Sequence, residues 1–108
     1  MQIRSASFQN IELQTKLDEL RLIINKLDKD LLELLAKRMT VSTQIGEYKR
    51  DNNVTILQIT HWKKLIETCI ANGNQLGLPK EFVKGLYQLI NDESIRRQTD
   101  VMNKVSKK

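Results

Sequence analysis

Apolar residues recur along the first half of the chain in alternating steps of four and three. The stripe starts at Leu13, runs to Leu34, and continues in the same stepping to Tyr48. This period predicts one long amphipathic α-helix of about ten turns, because residues spaced in this way lie on one helix face. A single small domain cannot cover such a helix, so we expect a second chain to bury much of it.

A shorter second helix is predicted after a polar break at residues 51–53. Its apolar face runs from Ile56 to Cys69, with the spacing of a buried helical stripe. Asn72 and Gly73 follow, and this pair is typical of a left-handed helix stop.

A third, longer helix is predicted after a loop over residues 73–78. Pro79 suits its first turn, where the missing N–H is not needed. The apolar stripe starts at Val83 and continues past Ile95 to Val105. The pattern therefore predicts an all-α fold of a long, a short and a long helix, assembled as a homodimer.

Composition narrows the classes of function. The chain has 108 residues, one proline and four glycines, which favours one helical unit. Its net charge of +5 comes from interspersed charges with only 5% aromatic residues, so a small anionic ligand is favoured over nucleic acid. The lone Cys69, the lack of a signal-like start and the lack of a long apolar run indicate a cytoplasmic protein without a membrane span.

Two cations interrupt the apolar stripe of the first helix. Arg38 occupies the stripe position after Leu34, where a buried guanidinium needs a carboxylate from the protein or from a ligand. Lys49 lies about three turns further on almost the same face. Both side chains could therefore hold a compact dianion, although Lys49 could also be a snorkelling surface cation.

Two neutral polar residues share a face of the third helix. Ser94 and Gln98 are spaced i, i+4 and continue the line of Tyr87 and Ile90. They form either part of a ligand pocket or a structural hydrogen-bond network between helices.

Arg21 lies about 25 Å before Arg38 along the same predicted helix. A straight helix cannot bring both to one small ligand. Arg21 therefore either enters the site of a partner chain in a two-fold dimer, or pairs with Asp18, Glu19 or Asn25 at the surface.

Catalytic groups for proton transfer, covalent chemistry or metal chemistry are not recognisable in the sequence. The single His61 has no neighbouring ligand set, and neither a phosphate loop nor an activated nucleophile is present. We expect no cofactor and no metal. The candidate residues suit binding and electrostatic stabilisation.

Three segments resemble the all-helical chorismate mutases. They are LDELRLIINKLDKDLLELLAKRM, IGEYK and LYQLINDESIRRQ, and the resemblance extends from Leu17 to Gln98. It implies an intertwined homodimer that rearranges chorismate to prephenate, a concerted reaction in which no proton need move. It also implies a mutase domain over residues 13–103 after a linker remnant at 1–12. Lysines at the end of the chain form a basic tail over residues 104–108, which we expect to be solvated.

The resemblance also implies roles for individual residues. Arg21 would cross into the partner's site, and Arg38 would be the second carboxylate clamp. Lys49 would lie near the ether oxygen of the substrate, and Ser94 and Gln98 would complete the pocket.

The start of the second helix departs from the family pattern. Gln58, His61 and Trp62 stand where stand-alone mutases have an aspartate and then Arg-Glu. Gln58 is the remaining candidate for contact with the substrate hydroxyl, because the indole of Trp62 can only donate a hydrogen bond. The stretch EYKRDNNVTILQ is similar to mutase domains fused to DAHP synthase, which suggests that enzyme as a partner.

Two rival functions follow from this departure. An isochorismate pyruvate lyase would use a similar scaffold and similar cationic clamps. A non-catalytic dimerisation or regulatory module for a DAHP synthase would use only the helical surface. Cations kept at costly positions count against the second rival.

Overall fold

Three α-helices make up the part of the chain that the structure describes, residues 2–104, with side chains from residue 9 onwards. In this computed structural model, α1 spans Gln2–Asp51, α2 spans Ile59–Gln75 and α3 spans Lys80–Asn103. The predicted all-α order of a long, a short and a long helix is confirmed. The chain divides into two units, residues 1–37 and 38–108.

The start of α1 differs from the prediction. The helix begins at Gln2 rather than Leu13, so residues 2–12 are helical. This segment contains neither glycine nor proline, and nothing in its sequence stops a helix that propagates from the apolar stripe.

The first unit presents its apolar stripe to solvent. Six stripe residues are between 42% and 62% exposed: Leu17, Leu20, Ile24, Leu27, Leu31 and Leu34. Ion pairs such as Lys26–Asp30, at 2.7 Å, lie on the same helix. A row of exposed leucines and isoleucines of this size is typical of a surface that binds another protein.

Both interhelical turns use the same helix stop. In the first, Asn53 is left-handed with φ 57°, and Val54 donates its N–H to the carbonyl of Lys49 over 2.8 Å. This is the geometry of a Schellman motif, in which a residue beyond the helix adopts positive φ. The predicted break is therefore confirmed at Asn52 and Asn53, whereas Asp51 is the last residue of α1.

The stop of α2 lies four residues later than predicted. Gly77, not Gly73, is left-handed with φ 80°, and Leu78 donates its N–H to the carbonyl of Gly73 over 2.8 Å. Gly73 is a buried helical residue, and a Cβ there would lie 2.6 Å from Cγ2 of Val83. It thus allows α2 and α3 to pack closely. Pro79 precedes α3 as its N-cap instead of lying in its first turn.

The buried apolar side chains of the described residues all lie in the second unit: Met39, Val83, Ile90 and Val101. Val105 lies outside the described residues, and the predicted basic tail is described only at Lys104. Four buried apolar side chains make a small core, which agrees with the expectation that one chain alone buries too little.

Candidate active site

A cavity of about 240 Å³ lies in the second unit. All three helices and the α1–α2 turn contribute to its wall, which consists of Arg38, Val41, Ser42, Ile45, Lys49, Ile56, Leu57, Gln58, His61, Trp62, Leu65, Asn91, Ser94, Ile95 and Gln98. Five of the six predicted site residues are among them. The wall contains cations, amides and hydroxyls but no carboxylate, so it suits an anionic ligand of modest size.

Lys49 connects the end of α1 to α3 and to the α1–α2 turn. Its Nζ donates to Oε1 of Gln98 over 3.0 Å and to the carbonyl oxygen of Ile56 over 2.8 Å. An ammonium group has three N–H donors, so one is left for a ligand. Partial burial lowers the pKa of Lys49, because burial disfavours the charged form.

A chain of hydrogen bonds continues from Gln98 into the core. Nε2 of Gln98 donates to Oγ of Ser94 over 3.2 Å, and Ser94 donates to Oγ of Ser42 over 2.7 Å. All three side chains are buried. Lys49, which only donates, fixes the amide oxygen of Gln98 towards itself and leaves the second amide N–H for a ligand.

Ser42 is a site residue that the sequence analysis missed. It lies one turn after Arg38 on α1 and is 4% exposed. A serine beside an apolar stripe is usually a surface residue, and only the packing of α3 against this turn buries it. Its spacing of i, i+4 from Arg38 was the one available signal. The structural and the ligand-binding readings of Ser94 and Gln98 are compatible, because the network itself lines the cavity.

Arg38 is half-buried in the cavity wall. Within the described residues no carboxylate pairs with its guanidinium. Its charge acts on Tyr87. Burial and the Cys69 thiol raise the pKa of Tyr87, and the positive charge of Arg38 opposes part of this rise. A partly desolvated guanidinium of this kind is suited to bind a ligand carboxylate.

The residues that depart from the mutase pattern lie at the start of α2. Gln58 is the N-cap of this helix, with extended backbone and no side-chain capping bond. His61 and Trp62 follow on the first turn, and all three line the cavity. All three therefore lie at the start of α2, as predicted. None of them carries a carboxylate, although the amide oxygen of Gln58 can accept a hydrogen bond.

Arg21 belongs to the first unit and does not line the cavity of the second. Its Nη1 lies 3.5 Å from Oδ1 of Asp18, and the Arg21 side chain is 65% exposed. The predicted surface pairing is therefore present in the single chain.

Gly46 allows α1 and α3 to approach closely at the cavity. A Cβ on this buried residue would lie 2.9 Å from the Cα of Gln98. Only a glycine permits the two backbones to lie this close. Because Gln98 lies on the approaching part of α3, the close contact also sets the distance between Gln98 and Lys49.

The described residues contain neither a metal-ligand cluster nor a membrane-spanning helix. No group of three or more His, Cys, Asp and Glu side chains there could hold a metal ion. No described helix combines the length and apolar character needed to cross a membrane.

Three helices around a small cavity lined by Arg38 and Lys49, with a lysine–glutamine pair at one end, define a class of small helical protein whose site is suited to an organic anion. The model of the family "Chorismate mutase type II" matches residues 20–99. The chain belongs to this family, as its three resembling segments indicated.

Curated relatives carry the same domain. A bifunctional chorismate mutase/prephenate dehydratase of Buchnera aphidicola subsp. Acyrthosiphon pisum (strain APS) is 35% identical over 81 residues, which is 75% of this chain and 21% of that protein. The protein of the same name from Escherichia coli (strain K12) is 32% identical over 79 residues, 73% of this chain and 20% of that protein. The chain thus spans about a fifth of the length of these relatives.

The second activity in these names differs from the predicted one. The relatives combine the mutase with prephenate dehydratase, whereas the turn sequence suggested a domain fused to DAHP synthase. Resemblance in the short stretch EYKRDNNVTILQ is thus a weak guide to the fused partner, because it covers one turn and little of the fold.

Proposed function

We propose that this chain catalyses the rearrangement of chorismate to prephenate. The observation that carries the proposal is the Lys49–Gln98 pair, held at 3.0 Å in a cavity whose wall also contains Arg38 and no carboxylate. The substrate is a dianion, and its reaction needs a fixed shape and stabilisation of charge on the breaking ether bond. Family membership and the names of the relatives support the same reaction.

Four polar side chains of the wall then have roles in a concerted step. Arg38 binds one carboxylate of chorismate in forked geometry and restricts the substrate to reactive conformers. Lys49 and Gln98 each direct a remaining N–H donor to the ether oxygen, where negative charge develops in the transition state. Ser94 orients the amide of Gln98. No proton is transferred, so the reaction needs no general acid or base.

We also propose that the active species is a homodimer whose sites are shared. The exposed stripe from Leu17 to Leu34 needs a cover, and a second copy of the same helix offers a matching apolar face. Arg21 of each chain would then bind the second substrate carboxylate in the partner's cavity. Its pairing with Asp18 at 3.5 Å is a loose, exposed contact that costs little to break.

Incubation with chorismate, followed by chromatography of the products, tests the reaction. We expect prephenate from the wild-type chain, and a loss of kcat/KM by orders of magnitude in Arg38→Ala and Lys49→Ala. Lys84→Ala, at an exposed position of α3, is the matched control and should be fully active. Salicylate and pyruvate from isochorismate, without turnover of chorismate, would favour the lyase, and turnover of neither by a folded dimer would favour the non-catalytic module.

Mixing inactive chains tests the shared site. Arg21→Ala and Arg38→Ala chains, after subunit exchange, should form heterodimers with one intact site and regain up to half of the activity per dimer. Sedimentation or light scattering first verifies the dimer. Activity that stays absent despite measured chain exchange would contradict the crossing of Arg21.

The cytoplasmic location and the DAHP synthase partner are predictions that rest mainly on the sequence. A cytoplasmic location agrees with Cys69, which is a free thiol in the structure. A DAHP synthase partner rests on the short turn resemblance alone, and co-purification with such an enzyme would be needed to support it.

A further inference from the structure

The mechanism above leaves some polar residues of the cavity wall without a role, and Asn91 is one of them. Asn91 lies on α3, is half-buried and lines the cavity. Within the described residues its side-chain amide makes no hydrogen bond to the protein. Lys49, Ser42, Ser94 and Gln98 differ in this respect, because they are joined in one hydrogen-bonded chain.

The packing of α1 on α3 places Asn91 near Arg38. Ser42 bonds to Ser94, and Gly46 approaches Gln98 one turn later, so the two helices run parallel in this part with a fixed register. One turn earlier, the same register brings the turn of Arg38 beside that of Asn91. The effect of the Arg38 charge on Tyr87, one turn before Asn91, agrees with this placement.

The cavity therefore has two polar ends. Lys49 and Gln98 form one end, and Arg38 and Asn91 form the other, about 10 Å away along α3. Leu65 of α2 and Val41 of α1 complete the wall at the Arg38 end with apolar surface. A carboxylate bound there meets a guanidinium and an amide with a low-dielectric background, which strengthens hydrogen bonds to its charge.

We propose that Asn91 is a substrate-binding residue that donates its amide N–H to the carboxylate held by Arg38. This inference rests on the proposed function for the identity of the ligand. An asparagine amide suits the position because Nδ2 can donate to the carboxylate while Oδ1 accepts from the guanidinium. Asn91 thus adds a second donor for the carboxylate without adding charge.

Steady-state kinetics of Asn91→Leu and Asn91→Asp test this role. Asn91→Leu removes the donor at similar size, and we expect KM for chorismate to rise about 10- to 100-fold, the range for a lost hydrogen bond to a charged group. kcat should change much less, since the bond forms in the ground state as well as in the transition state. Asn91→Asp should raise KM further, because its carboxylate competes for Arg38.

Asn103→Leu and Asn103→Asp are matched controls, because they make the same changes at the exposed last residue of α3. Their KM should stay at the wild-type value. Melting temperatures separate a binding defect from misfolding, and Asn91→Asp carries the test if the leucine variant does not fold. An active wild type with an unchanged KM in both Asn91 variants would overturn the inference and leave the proposed function intact.

A binding measurement distinguishes failure of the proposed function from failure of this inference. Titration of ¹⁵N-labelled wild-type chain with malate should shift the side-chain amide signals of Asn91 and leave those of Asn103 in place. This result would support the anion-binding role even if chorismate is not turned over. Unmoved Asn91 signals at high malate concentration, together with absent turnover, would refute it.

Discussion

Replacement of Gly46 by alanine gives the sharpest test of how the fold sets the site. The added Cβ would lie 2.9 Å from the Cα of Gln98 and 3.2 Å from its Cβ and Cγ. The first contact is about 0.6 Å shorter than the lower end of the favourable range of about 3.5–4.0 Å for carbon pairs. The obstructing atom is backbone, so α1 and α3 must separate.

Two opposing terms determine the stability of Gly46→Ala. Overpacking of a well-packed contact costs about 1–3 kcal/mol. Alanine within a helix gains about 1 kcal/mol over glycine. The matched control is Gly85→Ala in α3, where a Cβ has no atom within 4 Å and only the helix gain applies. We therefore expect Gly85→Ala to stabilise, and Gly46→Ala to lie about 1–3 kcal/mol below it.

Urea unfolding followed by far-UV circular dichroism, at one fixed protein concentration, measures this difference. Activity gives a second reading. Separation by about 0.6 Å would stretch the 3.0 Å bond between Lys49 and Gln98 beyond hydrogen-bonding distance, so kcat should fall by about tenfold or more. If Gly46→Ala were as stable and as active as Gly85→Ala, the close approach would have no role in placing Gln98.

Three other predictions concern single side chains. As pH rises, kcat/KM should fall with a midpoint below 10.5, because burial lowers the pKa of Lys49 and the neutral amine cannot stabilise negative charge. In a pH–rate profile, Lys49→Arg should move this alkaline fall to higher pH. Ser42→Ala should cost about 1–3 kcal/mol in urea unfolding, since the buried hydroxyl donor of Ser94 loses its acceptor, and the double variant with Ser94→Ala should cost less than the sum of the single variants. Hydrogen bonds from Arg96, and to a smaller extent from Arg97, lower the pKa of Glu93 to about 2. The small stabilising effect of Glu93 is therefore present above the unfolded pKa of about 4.3 and is lost as pH falls towards 2. The unfolding free energies of wild type and Glu93→Gln, measured as pH is lowered, should converge over this window.

The helices were predictable because their periods are long and uninterrupted, but the start of α1 and the end of α2 were not. The apolar stripe from Leu13 predicts that α1 is helical. The first turn of α1, at Gln2, contains no acidic residue, so the sequence gives no signal for the start of the helix. The stop of α2 was assigned to Gly73 instead of Gly77. Both glycines could adopt positive φ, and only the contact with Val83 shows that Gly73 is needed for close packing inside the helix.

The candidate site was partly predictable for an energetic reason. Arg38 and Lys49 are charges on an apolar stripe, where burial is costly enough that each needs a partner or a ligand. Ser42 and Asn91 give no such signal, because small neutral polar residues are common on any helix surface. Their place in the cavity wall depends on the register between α1 and α3, which no local pattern encodes.

Small residues, more than the cations, determine the distances in this site. Gly46 lets the backbone of α3 approach α1, and one turn earlier Ser42 bonds to Ser94 over 2.7 Å. Larger side chains at these two positions of α1 would keep the cations in place but move the amide of Gln98 away from Lys49. A cationic cavity alone binds an anion equally well before and during reaction, and such uniform binding does not raise kcat. In the proposed rearrangement, the close approach of two backbones would therefore contribute to catalysis through the donor pair that it positions for the transition state.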